Sequence, residues 1–505
     1  MTGDLKIRKV QTASGATAVQ IIRYANNKRV VVQHVGSAHT EDELTALCSK
    51  AERLRESLCI QPSLFSEVSQ SSRLLHMDHL QLNAVTHTFT HEALLACCRE
   101  CGLSGFHQLY QDFALMRIIE PTSKLRTLAL LERYFQVSYS RRTVCRLLPE
   151  LLTHKAAIEK AAYQTAKKHF GETFSLVLYD VTTLYFESHK ADDELLAKGF
   201  SKDDKSKQPQ IVVGLLVTPQ GFPLMHNVYK GNTFEGHTML DIVKTFQRHH
   251  TDVKPIIVGD AAMLSYQNMQ MLEAEGYQYI VGARLANTTK SFLESIEAKL
   301  AHQDGAILRL PYPNCSYDIV CAFSEKRYKK DKRTFEKQVE KAKILIERKE
   351  PGKRAKFVKK SENLKQPYLL DDTLKVKTEK LLGIKGYCTN IPEDQLSNNE
   401  VISHYHELWH VEQTFRMSKT DLRTRPIFHY THDAVKSHVL LCFMSLMMGK
   451  FLEIKTGLSI RQIKDILWSV HEAHIIDSLT GEKVILRTNL KEYYDSGLHN
   501  LLIKH

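Results

Sequence analysis

Residues 174–187 read FSLVLYDVTTLYFE, an apolar run with one carboxylate in its middle. Side chains alternate between the two faces of a β-strand, so Leu176 and Leu178 share a face with Asp180, and Tyr179 lies on the other. Apolar residues on both faces are typical of a strand that is covered on both sides. The pattern therefore predicts a central strand of a sheet that contains Asp180.

A carboxylate in such a strand needs a compensating partner. Burying a charge costs free energy unless the charge is paired, hydrogen-bonded or bound to a cation. One interpretation is that Asp180 ends the strand and bonds a turn, but the residues TTLYFE that follow continue the strand pattern. The other interpretation is that Asp180 holds a cation.

The segments that follow predict a mixed sheet with helices packed on it. Two more strand patterns, QPQIVVGLLVT and FPLMHNVYKGN, are followed by a helix pattern, HTMLDIVKTFQRHH. A strand (PIIVGD), a helix (SYQNMQMLEAEG) and another strand (YQYIVGAR) complete the series. Three successive strands followed by alternating helix and strand indicate an α/β fold, and this order matches the ribonuclease-H-like fold.

A second carboxylate, Asp260, ends the apolar strand PIIVGD. Ligands of open α/β sheets gather at the carboxyl ends of the strands. An alternative role for Asp260 is to cap the next helix, although Ser265 fits that position better because the helical pattern begins after it. Two strand-borne aspartates suggest a site for Mg²⁺, which prefers carboxylate oxygens and leaves positions open for phosphate oxygens. Two such ions about 4 Å apart can activate a water or a 3′-hydroxyl and stabilise the leaving oxygen.

The third carboxylate is expected from a helix that packs beside the two strands. Residues 405–419 read YHELWHVEQTFRMSK, in which a tyrosine, a glutamate and a lysine are seven residues apart. At about 100° per residue, Tyr405 and Lys419 lie about 20° on either side of Glu412. Tyr405, Glu412 and Lys419 therefore form a row along the edge of the apolar stripe of the helix. Glu412 is therefore placed to point at the ends of the strands.

The other charged residues of this helix fall into two groups. Glu407 and Asp421 point about 140° and 180° away from Glu412, so neither can share its site. Arg416 and Arg423 lie about 40° and 20° from it and, with the tyrosine and the lysine, suit a phosphodiester flanked by further phosphates. The alternative is an ordinary i,i+4 pair of Glu412 with Arg416 on a solvated face, which contributes about 0.2–0.5 kcal/mol.

These segments resemble bacterial insertion-sequence transposases of the DDE class, in the group with a tyrosine–arginine–glutamate–lysine helix signature. The resemblance covers about Leu176 to Met448. It rests on these blocks in order: YDVTTLYFE, GFSKDDKSKQPQIVVGLLVTPQGFPL, YKGNTFEGHTML, VGDAAMLS, YIVGAR, GYCTNI, YHELWHVEQTFRMSK and DLRTRPIFHYTHDAVKSHVLLCF. Each block alone is weak, and their order makes the resemblance specific.

The resemblance assigns roles by motif position. The carboxylates that hold the metal ions in the family correspond to Asp180, Asp260 and Glu412, and two signature residues correspond to Tyr405 and Lys419. The signature arginine is replaced by Leu408 here, and Arg416 or Arg423 is a candidate to compensate.

The resemblance also implies an activity and its partners. It implies cut-and-paste transposition with two Mg²⁺ ions, which Mn²⁺ can replace, acting on the terminal inverted repeats of an insertion sequence and on target DNA. A homodimer on DNA is expected because two ends must be held together. Related enzymes form a DNA hairpin with the help of a stacking aromatic. Trp409 is a candidate for that aromatic, and packing against an inserted segment is the alternative.

Two other functions fit the same residues. A nuclease or resolvase on the same fold would use the same carboxylates, because a fold alone does not fix the reaction. A catalytically idle DNA-binding protein is the alternative outside the enzymes, although the intact set of three carboxylates argues against it.

The composition of the chain agrees with a DNA-binding protein. The chain has 505 residues, a net charge of +12 and a pI of about 9.0, which favours nucleic acid as partner, with an anionic membrane surface second. The longest apolar helix stretch, about Val439–Gly449, is too short to span a bilayer, so no membrane association is predicted.

The cluster Cys97, Cys98 and Cys101 lies in an apolar helix pattern and is interpreted as core thiols, with a metal site as the alternative. The scattered cysteines and the absence of a signal-peptide pattern predict a cytoplasmic, nucleoid-associated bacterial protein.

The chain is expected to have an α-rich DNA-binding region before the catalytic core and a basic insertion within it. SRRTVCRLLPELLTHKAAIEKAAYQTAKK fits either a helix-turn-helix or a plain helical bundle. The charged stretch 325–360 is either a solvated helix or a phosphate-tracking surface. The predicted regions are an N-terminal β-hairpin and helix (1–60), a helical, DNA-binding region (61–170), the first part of the core (171–296), the insertion (297–385), the part of the core with the glutamate helix (386–450) and a C-terminal helical region (451–505).

Overall fold

The computed structural model describes residues 5–25, 28–58, 80–187, 191–192, 194–199, 208–234, 236–251, 253–261, 266–348, 356–361, 367–478 and 481–502. The chain divides into two compact units. The smaller unit comprises Met1–His91, Glu132–Val137 and Ile466–Tyr494, and the larger comprises Glu92–Leu131, Ser138–Asp465 and Asp495–His505.

The smaller unit begins with an antiparallel sheet of three strands covered by one helix. Its first elements are β1 (Lys6–Gln11), β2 (Thr17–Ala25), β3 (Lys28–Ala38), α1 (Glu41–Leu58) and β4 (Leu80–Thr86). Strands β2 and β3 pair as the predicted hairpin, whose turn, Asn26–Asn27, lies outside the described residues. Val19 and Ile21 of β2 pack on Leu47 and Ala51 of α1. Reciprocal bonds start α1: the Glu43 N–H donates to Thr40 Oγ1, and the Glu43 carboxylate accepts from the Thr40 N–H.

Five helices precede the main sheet: α2 (Thr88–Glu100), α3 (Gln108–Ile119), α4 (Lys124–Phe135), α5 (Arg141–Glu150) and α6 (Lys155–Phe170). The three clustered cysteines are fully buried. This burial agrees with core thiols, and among the described residues no group of three His, Cys, Asp or Glu side chains is placed to hold a metal ion. A short 3₁₀ turn, Leu151–His154, joins α5 to α6. Helix α6 ends at Gly171, whose φ of 66° is the left-handed conformation that favours glycine at a helix end.

The predicted order of strands and helices is confirmed in the larger unit. The elements are β5 (Leu176–Tyr185), β6 (Gln210–Val217), β7 (Pro223–Lys230), α7 (Gly236–His249), β8 (Ile256–Gly259), α8 (Tyr266–Ala274) and β9 (Tyr279–Ala283). In the sheet they lie side by side as β7-β6-β5-β8-β9. Strand β5 pairs in parallel with β8 and antiparallel with β6, so it is a central strand as its sequence predicts. A large mixed sheet flanked by helices is the architecture expected of a ribonuclease-H-like core.

The next segment extends this sheet and adds a small subdomain. Its elements are α9 (Lys290–Lys299), β10 (Ile307–Pro311), β11 (Asp318–Phe323), α10 (Glu325–Glu347), β12 (Val358–Lys360), β13 (Tyr368–Leu370), α11 (Asp372–Glu379) and β14 (Ile384–Thr389). Strands β10, β11 and β14 continue the sheet beyond β9, so this sheet has eight strands among the described residues. The charged stretch forms the 23-residue helix α10, whose few apolar residues pack on the β12–β13 hairpin.

The C-terminal part carries the longest buried helix. Its elements are α12 (Asn398–His406), α13 (Trp409–Arg416), α14 (His432–Thr456), α15 (Ile460–Trp468), β15 (Glu472–Asp477), β16 (Lys483–Arg487) and α16 (Lys491–Asp495). Strand β15 pairs with β16 and with β4 inside the smaller unit. Helix α14 extends well beyond the apolar run that the sequence singles out. Among the described helices it alone is long and apolar enough to cross a membrane, and 89% of its most apolar window is buried inside the protein.

A buried carboxylate fixes α6 to the sheet. The Glu159 side chain is 4% exposed. Its Oε1 accepts from Lys155 Nζ at 2.6 Å and from the backbone N–H of His226 in β7 at 3.1 Å. Burial alone would raise the pKa of the Glu159 carboxyl, but His226 and Lys155 lower it below its ordinary value. The carboxylate is therefore charged and satisfied in the folded protein.

Replacing this carboxylate should destabilise the larger unit. We expect Glu159→Ala to lower the free energy of unfolding by about 3–5 kcal/mol, because it leaves the buried His226 N–H without an acceptor and the Lys155 ammonium without its ionic partner, with only the Asn227 amide oxygen at 3.3 Å. Urea denaturation followed by circular dichroism measures the change. The folded-state pKa is the lowered one, so this stabilisation is present above about pH 4.3 and is lost as the pH falls below it.

The matched control is Glu294→Ala. Glu294 forms an exposed i,i+4 pair with Lys290, and its loss should change the free energy of unfolding by less than about 0.5 kcal/mol. Equal effects of the two substitutions at neutral pH would show that Glu159 does not fix α6 to the sheet.

Candidate active site

The pairing of two parallel strands brings the two aspartates together. Strands β5 and β8 are in register from Leu176 opposite Ile256 to Tyr179 opposite Gly259. The residue that follows on each strand is an aspartate, Asp180 within β5 and Asp260 just after the end of β8. Neighbouring strands lie about 4.8 Å apart, so the register places the two carboxylates side by side at the carboxyl end of β8.

Glu412 reaches the same place from α13. The helix packs on β5 and β6. Val411 and Phe415 are buried beneath it, and Thr414 Oγ1 donates to the carbonyl of Gly221 at 2.8 Å. Glu412 lies at the exposed edge of this buried face. The three carboxylates therefore line a single cleft of about 380 Å³.

The helix that carries Glu412 is not continuous, which corrects the expectation of one regular helix. Hydrogen bonds from Val411 N to Leu408 O and from His410 N to Glu407 O form a tight turn between α12 and α13. Met417–Asp421 is a π-helical turn. A tight turn winds the chain by more than 100° per residue and a π-turn by less, so the angles calculated for an ideal helix hold only within α13.

The π-turn has a local cause. The Thr424 hydroxyl donates to the Ser418 carbonyl at 2.7 Å, and the Thr424 N–H donates to the same oxygen at 3.0 Å. Arg423 adopts a φ of 45° that ends the helix. These bonds draw the chain back on itself and widen the last turn. Lys419 nevertheless lines the cleft.

Tyr405 contacts the second aspartate. Its ring is buried, and its hydroxyl donates to Asp260 Oδ1 at 3.4 Å. A Cβ at Gly282 of β9 would lie 2.5 Å from this hydroxyl, so the tyrosine reaches Asp260 only because position 282 lacks a side chain. Burial and the Asp260 charge raise the Tyr405 pKa well above its ordinary value, which keeps the hydroxyl protonated as a donor.

The predicted cations divide between two places. Arg416 and Lys419 line the cleft with the carboxylates, and Arg425, which sequence analysis did not single out, joins them. Arg423 does not line the cleft but a neighbouring cavity. Leu408, at the position of the signature arginine, is buried at the cleft wall. Of the two proposed substitutes for that arginine, only Arg416 therefore lines the cleft.

The two acidic residues that helix geometry sets aside have partners elsewhere. Asp421 Oδ1 accepts from Arg461 Nε at 2.6 Å. The Glu407 carboxylate lies 3.5 Å from His404 Nδ1. Neither residue lines the cleft.

A second, larger cavity of about 940 Å³ shares Asp260, Leu408 and Glu412 with the cleft. Helices α10 and α11 form one of its walls. Tyr405 lines it, as does Trp409, whose side chain is 48% exposed. Its basic residues are Arg284, Arg327, Lys356, Lys377 and Lys385. The basic insertion therefore faces a cavity that is continuous with the carboxylates.

Lys385 is a second site residue, besides Arg425, that sequence analysis missed. Its ammonium lies 4.3 Å from the centroid of the Tyr405 ring. Burial and the nearby Arg327 lower the Lys385 pKa, while Asp260 and Glu412 act in the opposite direction. It is therefore a cation in the field of two of the three carboxylates. In the structure Lys385 is the one residue of β14 that is not buried, and the sequence of this strand alone gives no signal for it.

The residues of the cleft fit a divalent cation by donor type. Three carboxylates from separate elements face one solvent-accessible cleft, and carboxylate oxygens are the ligands that Mg²⁺ and Mn²⁺ prefer. In the described part of the chain, no three acidic, histidine or cysteine side chains converge closely enough to hold an ion as they stand.

Comparisons with known proteins identify the family of this chain. No curated protein matches the sequence. Eight chains of solved structures are similar to it, among them the cryo-EM structure of the piggyBac transposase synaptic complex with hairpin DNA. That chain is 10% identical, with a TM-score of 0.38 over 82% of this chain and 83% of the other, a likeness too weak to bear on function. The sequence model of the family described as "Transposase DDE domain" matches residues 172–448, more than half of the chain and all three carboxylates. The protein belongs to the family of transposases with a DDE domain.

Proposed function

We propose that this protein is the transposase of a bacterial insertion sequence and that it moves the element by a cut-and-paste reaction. Membership of the DDE family supports a DNA transposase, an enzyme that cleaves nucleic acid and transfers strands. The observation that carries the finer proposal is the single cleft shared by Asp180, Asp260 and Glu412. The substrates would be the terminal inverted repeats of the element and the target DNA.

Divalent metal ions are general cofactors of DDE transposases. In this chain Asp180, Asp260 and Glu412 would hold two Mg²⁺ ions, with Mn²⁺ as a substitute. When bound, such ions neutralise charge on the phosphodiester and make the attacking oxygen a better nucleophile. The protein supplies the shaped cleft and the orientation of the three carboxylates.

The proposed reaction has two steps at phosphorus. In the first, a water oxygen bonds to the phosphorus at the element's end, the bond to the 3′-oxygen breaks, and the strand ends in a free 3′-hydroxyl. In the second, that 3′-oxygen bonds to a phosphorus of the target strand and displaces the target's own 3′-oxygen. The number of phosphodiester bonds is unchanged in the second step, so it needs no external energy source.

The cations of the cleft would bind the phosphates that flank the reacting one. Arg416 and Arg425 can each present two parallel N–H donors to a phosphate, and Lys419 offers a point charge. Arg416 and Arg425 would thereby supply the contact that Leu408 cannot make. Tyr405 would orient Asp260 through its hydroxyl, and the exposed Trp409 is placed to stack on a base.

The assembly and the location are also part of the proposal. Two element ends must be processed together, so the active form would be a homodimer on DNA, with the α-rich region before the core and the basic insertion contacting the duplex. The protein would act in the bacterial cytoplasm at the nucleoid.

Lys385 would regulate the charge of the cleft. Before DNA and metal ions bind, its ammonium offsets part of the negative charge of Asp260 and Glu412. Once cations neutralise the carboxylates, the same ammonium is available to a phosphate in the adjoining cavity. The proposed role therefore opposes metal binding and favours DNA binding.

The three carboxylates should be required for cleavage but not for DNA binding. We expect Asp180→Asn, Asp260→Asn and Glu412→Gln each to slow nicking by about 10³-fold, because each removes a metal ligand. This factor corresponds to a rise of about 4 kcal/mol in the activation free energy. The assay follows nicking of a duplex that carries the terminal repeat, with Mg²⁺ or Mn²⁺, and measures binding by fluorescence anisotropy.

The matched control for this set is Glu407→Gln, five residues before Glu412 but outside the cleft, which should cleave normally. Cleavage retained in Glu412→Gln would contradict the assignment of the site. Joining of the cleaved ends to a second DNA in the same assay distinguishes a transposase from a simple nuclease.

Lys385→Met should separate metal binding from catalysis. Removing one positive charge from a cleft with an effective dielectric of about 20 favours cation binding by about 1 kcal/mol or more. We therefore expect several-fold tighter Mn²⁺ binding in the DNA-free protein, measured by titration calorimetry, together with slower cleavage.

Lys380→Met is the control, because Lys380 pairs with the exposed Glu297 and lines neither cavity. It should change neither quantity. An unchanged Mn²⁺ affinity in Lys385→Met would rule out the proposed effect of this lysine on the carboxylates.

A further inference from the structure

A cavity of about 480 Å³ adjoins the candidate active site, and its charged lining residues are all basic. It is enclosed by α3, the start of α4, the segment after the π-turn and α14. Its positively charged lining residues are Arg117, Lys124, Arg423 and Arg425, accompanied by two histidines. All of its lining residues belong to the described chain, and none of them is acidic.

The charge of Arg117 is held in place but not neutralised. Its guanidinium donates to the carbonyls of Leu422 at 2.8 Å and of Arg423 at 3.1 Å. Carbonyl acceptors satisfy the N–H groups without supplying a negative charge. Arg117 therefore fixes the cavity wall and contributes a positive field to the cavity.

Lys124 lies half-buried at the same wall. Burial lowers its pKa, and the Arg117 charge acts in the same direction, against an opposing effect of Cys145. In the described residues no hydrogen bond or ion pair of the Lys124 ammonium is found. An anion in the cavity would remove the cost of keeping this ammonium there.

The two histidines show the same positive field. Burial, Lys124 and Arg117 lower the pKa of His429 to about 4. Burial, Arg117 and His429 lower the pKa of His438. The Nε2 of His438 lies 3.0 Å from the Thr424 carbonyl oxygen and donates its N–H to that oxygen. Both rings are therefore neutral at pH 7. A neutral His429 can still donate one N–H to a bound anion.

Arg425 connects this cavity to the cleft of the three carboxylates, because it lines both. A polymer with a phosphate at every residue can place one phosphate among the carboxylates and a later one in the cavity. A free small anion would not need the second site to adjoin the first. The adjacency of the two sites at Arg425 therefore points to a DNA strand.

We propose that the cavity lined by Arg117, Lys124, Arg423 and His429 binds a backbone phosphate of the DNA strand that enters the candidate active site. The inference rests on the DNA binding in the proposed function and adds a specific anchoring site outside the catalytic cleft. Thr122 and Ser123 at its edge add hydroxyl donors for phosphate oxygens. The anchor would fix the position of the strand without contacting a base.

The experiment measures DNA binding by the full-length protein as a function of salt. The probe is a fluorescein-labelled 30-base-pair duplex of arbitrary sequence, and the salt is NaCl. Each phosphate contact contributes about 0.9 to the slope of log K against log salt. Lys124→Gln and Arg423→Gln should each make the slope less steep by about 1 and weaken binding about fivefold to tenfold near 0.1 M salt.

Arg126→Gln is the matched control, since Arg126 is exposed two residues along the same helix and does not line the cavity. It should leave the slope unchanged. Lys124→Arg should also keep the wild-type slope, because it retains the charge. Arg423 is exposed, so its substitution tests the cavity even where a change at Lys124 disturbs folding.

Two results would overturn the inference. One is a wild-type slope in both Lys124→Gln and Arg423→Gln, and the other is an equal loss of slope in Arg126→Gln. Neither result affects the proposed function as long as the wild-type protein binds and nicks terminal-repeat DNA. A wild-type protein that does not bind DNA would overturn the proposed function itself, and this inference with it.

Discussion

The parallel pairing of β5 with β8 is the constraint on which the rest of the site depends. The pairing is in register through Tyr179 and Gly259. The residue that follows on each of the two strands is an aspartate, and the two aspartates therefore lie opposite each other. Strand β5 is covered on both faces, which makes a carboxylate in it costly without a cation or hydrogen bonds. A shift of the register by one residue would turn Asp180 to the opposite face. The packing of the core and the chemistry of the cleft are therefore set by the same strand pair.

The helix side of the site is built from departures from regular geometry. Val411, Thr414 and Phe415 bind α13 to the sheet, and this fixes Glu412 at the cleft. The tight turn before α13 and the π-turn after it adjust the positions of the residues on either side. Arg423 is thereby carried out of the cleft and into the neighbouring basic cavity. One short helix thus separates a carboxylate from a cation that an ideal helix would place beside it.

Much of the core was predictable from sequence because its signals are local. The apolar residues on both sides of Asp180 predicted that it lies in a central strand, and the order of strands and helices predicted a mixed sheet. Glu412 was selected among the acids of its helix by ideal-helix rotation angles, which apply to Glu412 inside α13 but not to Glu407 and Asp421 outside it. Those two residues lie away from the cleft beside His404 and Arg461, contacts that the angles do not predict. The π-turn was not predictable, since it depends on hydrogen bonds from Thr424 back to Ser418. Lys385 and Arg425 were missed for another reason: each reaches the site through tertiary packing, from a strand and a loop whose own sequence patterns indicate no ligand.

The central claim is that Asp180, Asp260 and Glu412 form one metal site. Anomalous diffraction from crystals of the protein soaked in Mn²⁺ tests it most directly, because the anomalous peaks locate the ions independently of any activity. The account predicts peaks about 2.0–2.2 Å from carboxylate oxygens of all three residues. Peaks in the cleft that exclude Glu412, or manganese bound only at other acidic residues, would contradict it.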